Sequence, residues 1–229
     1  MKTRLIIFLS IILTVSLSAN AQSVVGFWTV DQVKVGDKNL TPVAKWFKYH
    51  IDHTYQAGNG WTQNDIGTWE YDKEKNEFLP ESKNGKDEYG PFKVSFSGEK
   101  MTWERMEDGM HVTVSLSEIT EMPMSPKDSI AGSWELISVI KNDEDITTSY
   151  DPENKETILI RWTETYRKTN PDGSQSFGFW HMDAHDPEFH LIDFNREVDF
   201  QVFIISFKDN LVVMKSKKDK DMTLTYKRK

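Results

Sequence analysis

Trp46 to Asp72 reads WFKYHIDHTYQAGNGWTQNDIGTWEYD, and the chain writes this stretch a second time from Ile158 to Asp183. Adding 111 to each number carries Tyr55 onto Tyr166, Gly67 onto Gly178, Trp69 onto Trp180 and Asp72 onto Asp183 without a gap. The register persists through Phe78/Phe189, Phe92/Phe203, Val94/Ile205 and Phe96/Phe207. The offset becomes 110 at Val112/Met222 and Val114/Leu224, and it is 106 at the start, where Gly26-Phe27-Trp28 matches Gly132-Ser133-Trp134. Chance similarity does not hold register over such a length. The chain is an internal duplication of two units of about a hundred residues each.

Within each unit, short alternating segments are punctuated by turn pairs such as Asn84-Gly85, Asp172-Gly173 and Asp209-Asn210. No run has helical periodicity, so the pattern predicts an all-β fold with strands near 25–35, 45–57, 61–72, 76–80, 89–97, 100–106 and 110–118, and the same set again in the second unit. Strand neighbours face opposite sides. In the long strand Phe47, Tyr49, Ile51, His53 and Tyr55 therefore share an inner face, matched by Ile158, Ile160, Trp162, Glu164 and Tyr166. Pro123 and Pro126 interrupt the stretch between the units, because proline cannot donate to a ladder. The expected division is a leader over 1–21, a first repeat over 22–117, a linker over 118–129 and a second repeat over 130–229.

The leader reading rests on Lys2 and Arg4, the apolar run Leu5 to Leu17, and the small-x-small site Ala19-Asn20-Ala21. The run is shorter than the roughly 20 residues that span a bilayer, so no membrane span is expected and the location is periplasmic or secreted. There is no cysteine, so stability must come from apolar burial. Removing Lys2 and Arg4 takes the formal net charge from −8 to −10. That balance argues against a nucleic-acid partner.

The Gly-x-Trp openings at Gly26-Phe27-Trp28 and Gly132-Ser133-Trp134, each followed by an antiparallel meander, resemble the lipocalin-like domains common in exported proteins of the Bacteroidetes. The resemblance implies two tandem lipocalin-like meander barrels, each a cup for a small molecule or oligosaccharide. This exported type is also similar to proteins encoded beside polysaccharide-degrading enzymes, including an ulvan-oligosaccharide dehydratase. It therefore implies a β-elimination that removes water from a uronate-containing oligosaccharide.

The residues offer a pair for that chemistry. His53 and Tyr55 would stand about 7 Å apart on the inner face, one able to act as base and the other as acid. Tyr49 shares their face, while Gln63, Asp65 and Trp69 on the next strand could meet substrate hydroxyls. Glu164, Tyr166 and Trp180 are the second-unit counterparts. Arg161 or Arg196 could hold a carboxylate if folding turned one inward. The plainer reading of His53 is a hydrogen-bonded side chain in a barrel mouth. His181, Asp183 and His185 could approach a divalent ion, although Asp186-Pro187 signals a solvated turn and the spacing matches no closed zinc pattern. No metal and no cofactor is assigned. Trp28, Trp69, Trp134 and Trp180 recur between copies and read as core, whereas Trp46, Trp61, Trp103 and Trp162 do not and are candidates for stacking on a sugar. The alternatives to catalysis are a non-catalytic binder of a lipid, pigment or oligosaccharide, and an interaction protein using the open edges of two incomplete barrels.

Overall fold

A computed structural model describes residues 23–183 and 187–229; the expected leader and His185 lie outside the described residues. The first unit runs β1 (Gly26–Val35), β2 (Lys38–Leu40), β3 (Trp46–Tyr49), β4 (Thr54–Asn59), β5 (Thr62–Asp72), β6 (Glu77–Ser82), β7 (Phe92–Ser97), β8 (Lys100–Glu107) and β9 (Met110–Glu118). After a short helix α1 (Pro126–Ile130), the second unit runs β10 (Gly132–Lys141), β11 (Glu144–Asp145), α2 (Thr147–Tyr150), β12 (Thr157–Ile160), β13 (Thr165–Thr169), β14 (Gln175–Met182), β15 (Glu188–Asp193), β16 (Gln201–Lys208), β17 (Leu211–Ser216) and β18 (Met222–Arg228). Each unit is an antiparallel meander whose first and last strands pair, β1 with β9 and β10 with β18. Two closed eight-stranded barrels in tandem result, with β2 and β11 as short additions to the first strands. The expectation of open edges is corrected, since closure joins the strands that would have been edges.

Closure depends on a bulge written into both copies. Register shifts between Val30 and Gln32 in β1, and between Leu136 and Ser138 in β10. An extra residue bends the strand, which lets one half pair with the second barrel strand while the whole reaches the last. The repeated Tyr, Gly and Trp form a second device. Tyr55 opposes Gly67 across the ladder, and a Cβ on that glycine would stand 2.6 Å from the Tyr55 ring and 2.0 Å from the Glu81 carbonyl oxygen. Gly178 meets Tyr166 and Ile192 at 2.7 and 2.0 Å in the same way. Glycine is required because a phenol ring lies flat against its backbone.

The barrel interiors are filled. In barrel one Tyr49 packs on Phe78 at 5.1 Å and Phe78 on Trp103 at 5.2 Å, above buried Met101 and Leu116. Burial of such side chains contributes about 1.5–3 kcal/mol each. The cup that the resemblance implies is thus reduced to the space at a barrel mouth.

The connection between barrels is built rather than slack. Ser125 caps α1, with Pro126 in the first turn and Asp128 completing a capping box. Asp128 Oδ2 also accepts from the Trp61 backbone N–H at 3.1 Å, which ties the helix to barrel one. Lys127 donates to Glu164 at 2.6 Å, and Arg228 to the Ala131 carbonyl at 2.9 Å, which tie it to barrel two.

Candidate functional site

The long inner strand expected over 45–57 is two strands, and the break falls where the catalytic pair was expected. His50 to His53 form a tight turn between β3 and β4, closed by His50 N–H donating to the Thr54 carbonyl and His53 N–H to the His50 carbonyl. His53 takes φ 63° and Glu164 φ 61°, so both stand in the left-handed region and leave the strand's alternation. The inner-face assignment of His53, Ile51, Glu164 and Trp162 is corrected accordingly: all four are exposed or half-exposed at hairpin tips. His53 stacks on Trp69 at 4.8 Å and donates from Nδ1 to the Trp69 carbonyl at 3.1 Å. In barrel two Lys127 covers the Trp180 ring instead, at 5.9 Å, and Glu164 holds Lys127 in place. The two copies diverge at this position because different groups cover the same tryptophan.

Tyr55 turns the other way along its strand. Its hydroxyl donates to Asp65 Oδ2 at 2.7 Å, and Asp65 pairs with Ala57, four residues beyond His53. At about 3.3 Å per residue that is roughly 13 Å. His53 and the Tyr55 hydroxyl therefore do not meet as base and acid. Burial, and after it the hydrogen bond to Asp65, push the Tyr55 phenol well above its ordinary value of 10, so it keeps its proton and acts as a donor. Arg161 and Arg196 both belong to barrel two and do not line this mouth.

Asp65 is the centre of the mouth of barrel one. Its Oδ1 accepts from Ser82 at 2.6 Å and from Asn84 at 3.0 Å, while Oδ2 takes Tyr55. Beside this array opens a cleft of about 470 Å³, walled by Phe47, Phe92 and Trp103 and rimmed by Pro80, Lys86 and Asp87. Trp103 is 3% exposed, and among the described residues neither its Nε1–H nor the Tyr49 hydroxyl has a hydrogen-bond partner. Tyr49 feels Asp65 and Tyr55: burial first, then those two groups, raise its phenol well above 10. Two unpaired donors thus lie under the mouth.

Of the other expected binding residues, Gln63 is exposed and outside the cleft, while Trp69 and Trp180 are buried with their indole N–H donating to turn carbonyls, Trp69 to Thr54 at 3.1 Å and Trp180 to Arg161 at 2.7 Å. Those are structural roles. Trp61 and Trp162 are exposed, and Trp46 is buried, donating to the Gly60 carbonyl at 2.9 Å. His181 sits exposed on β14, its ring 5.8 Å from that of His190. Asp183 follows the strand end, and among the described residues no group of three or more His, Asp or Glu is disposed to hold a metal.

Barrel two repeats the tyrosine with its partners exchanged. Tyr166 donates to Asp193 at 3.3 Å, and Asp193 stands where barrel one has Ser82, while Ser176 stands where barrel one has Asp65. There, however, Lys168 replaces Ala57 and pairs at 3.1 Å with the buried Glu156. Tyr226 and Tyr150 also donate to Glu156. The space around Tyr166 shrinks to about 50 Å³. Only the mouth of barrel one keeps the dimensions of a small-molecule site among these two.

Sequence reasoning missed Ser82, Asn84 and Asp193, whereas Trp103, one of the four tryptophans expected to be free for stacking, does wall the cleft. Aligning the copies at 65/176 and 82/193 carries the signal, because a carboxylate and a hydroxyl change places across one ladder.

No protein-family model matches the chain, and no curated protein matches it by sequence. Among solved structures the chain is similar to a DUF4847 family protein from Bacteroides vulgatus, at 9% identity and a TM-score of 0.34, over 43% of this chain and 93% of that one. No described helix is long and apolar enough to cross a membrane.

Proposed function

We propose that this is an exported, non-catalytic barrel protein that binds a neutral, polyhydroxylated ligand, an oligosaccharide, at the mouth of barrel one. The observation that carries the reading is the Asp65 array standing beside the aromatic walls of a single cleft, Phe47, Phe92 and Trp103. That combination suits a sugar: aromatic faces for the C–H side of a pyranose, and a carboxylate–amide–hydroxyl array for its hydroxyls. Asp87 is paired with Arg105 at 2.6 Å, and the carboxylate facing the cleft with no cation among the described residues bonded to it is Asp65, which favours a neutral ligand over a uronate. The β-elimination reading loses its support here, because its base and acid do not share a pocket.

The test is titration with neutral and with uronate oligosaccharides, followed by tryptophan emission and calorimetry. Saturable binding of a neutral oligosaccharide is expected, weakened about tenfold or more, or ~1.4 kcal/mol, by Trp103→Phe and by Asn84→Ala. No binding of any neutral oligosaccharide, or the appearance of unsaturated product from a uronate oligosaccharide, would overturn the proposal.

A further inference from the structure

Barrel two carries an aromatic outer surface that barrel one lacks. Phe177 and Phe179 are exposed on β14, Ile192 on β15 opposes Phe179, and Phe194 meets Phe179 edge to face at 4.9 Å. Phe200 follows from the loop before β16. Where barrel two has Phe179, Ile192 and Phe194, barrel one has Thr68, Glu81 and Lys83. The scaffold therefore does not require these rings.

Phe179, Phe194 and Phe200 are 53%, 55% and 61% exposed. At about 200 Å² per phenyl side chain, they and Phe177 expose on the order of 400 Å². That is half of the roughly 800 Å² each partner contributes to a standard interface. Scattered exposed apolar residues are ordinary, whereas a contiguous patch of about 400 Å² is the size of the largest on a typical monomer, and such a patch is often functional.

Shape indicates the partner. Beside the projecting rings lies a hollow of about 460 Å³, lined by Phe177, Phe194, Asn195 and Val198. A surface that carries both a knob and its own socket is complementary to itself about a two-fold axis. The nearby charges are of both signs, Arg167 beside Phe177 and Arg196 against Glu197, with Asp199 already paired with Lys218, so two copies can oppose unlike charges although each is net negative. We propose that this face of barrel two joins two copies of the chain, each seating its phenyl rings in the hollow of the other. No residue of the barrel-one mouth belongs to the surface.

Sedimentation equilibrium of the purified protein from about 1 to 100 µM tests this. The wild type is expected to associate as a dimer. The triple variant Phe179→Thr, Ile192→Glu, Phe194→Lys installs the barrel-one residues and should dissociate at least about tenfold more readily with an unchanged far-ultraviolet spectrum. Should the triple variant fold poorly, Phe200→Ser in the loop is expected to weaken the dimer on its own. A wild type that stays monomeric across the range, a dimer indifferent to these substitutions, or a monomer that instead floats with phosphatidylcholine vesicles would overturn the proposal.

Discussion

Replacing Lys168 by methionine is expected to weaken barrel two far more than an ordinary substitution of a half-buried residue. Lys168 Nζ lies 3.1 Å from Glu156 Oε1, and Glu156 is 1% exposed. Methionine keeps most of the stem and deletes the charge, leaving the carboxylate with the Tyr226 and Tyr150 hydroxyls and no counter-charge. Breaking a buried pair from one side costs about 3–5 kcal/mol. At about 4 °C per kcal/mol for a domain of roughly 100 residues, the midpoint of barrel two should fall by roughly 12–20 °C. Removing both charges, as Glu156→Met with Lys168→Met, should cost less than the single change. Some loss persists because the buried Tyr226 phenol loses its acceptor, at about 1–3 kcal/mol, whereas the half-buried Tyr150 can turn to water, and adding Tyr226→Phe should recover part of it. Calorimetry gives the midpoint. Urea unfolding followed by tryptophan emission should shift its midpoint with the slope unchanged. A Lys168→Met loss below about 1 kcal/mol, or a double variant less stable than the single one, would refute the claim that an uncompensated buried charge governs this site.

Other outcomes follow from the same geometry. Gly67→Ala forces a methyl to 2.0 Å from the Glu81 carbonyl and 2.6 Å from the Tyr55 ring, so chemical denaturation should register a loss of about 1–3 kcal/mol; a neutral result would show that the ladder yields there. Asp128→Ala removes the capping box and the bond to Trp61 N–H; faster hydrogen exchange at Trp61 and cleavage near residue 125 by added protease are expected, with about 1 kcal/mol lost from the helix cap. His53→Gly should leave ligand affinity unchanged, since His53 stacks on Trp69 away from the cleft and glycine accepts its φ of 63°; a large loss of affinity would place the site elsewhere. The hydrogen bond and then the charge of Lys127 hold the Glu164 carboxyl below its ordinary 4.5. A depressed folded-state value means that the tether is fully present above pH 4.5 and is lost as pH falls through the lower folded value. Protection of the α1 amides, taken relative to their intrinsic exchange rate at each pH, should accordingly fall in acid, and unchanged protection would count against the tether.

The repeat, the all-β class, the inward tyrosines and the core pair Trp69 and Trp180 were legible from Trp46 to Asp72 set beside its second copy, because extended backbone imposes a period of two and a duplicated sequence repeats its packing. Alternation failed at His53 and Glu164 because one residue in the left-handed region ends the period and resets which way side chains point. A local signal did exist: Asp52 accepts from the Thr54 backbone N–H at 3.0 Å and its hydroxyl at 2.6 Å, the turn chemistry of an Asp two residues before a Thr. Other outcomes have no local signature. Tyr55 finds Asp65, Ser82 and Asn84 only when three strands lie side by side. The exchange of Ala57 for Lys168 narrows one mouth only because Glu156, from outside the strand, reaches the same interior. The sequence determined which faces turn inward wherever the chain stays extended. The tertiary structure decided which end each polar group faces and which mouth stays open, because those depend on contacts between residues that no local period relates.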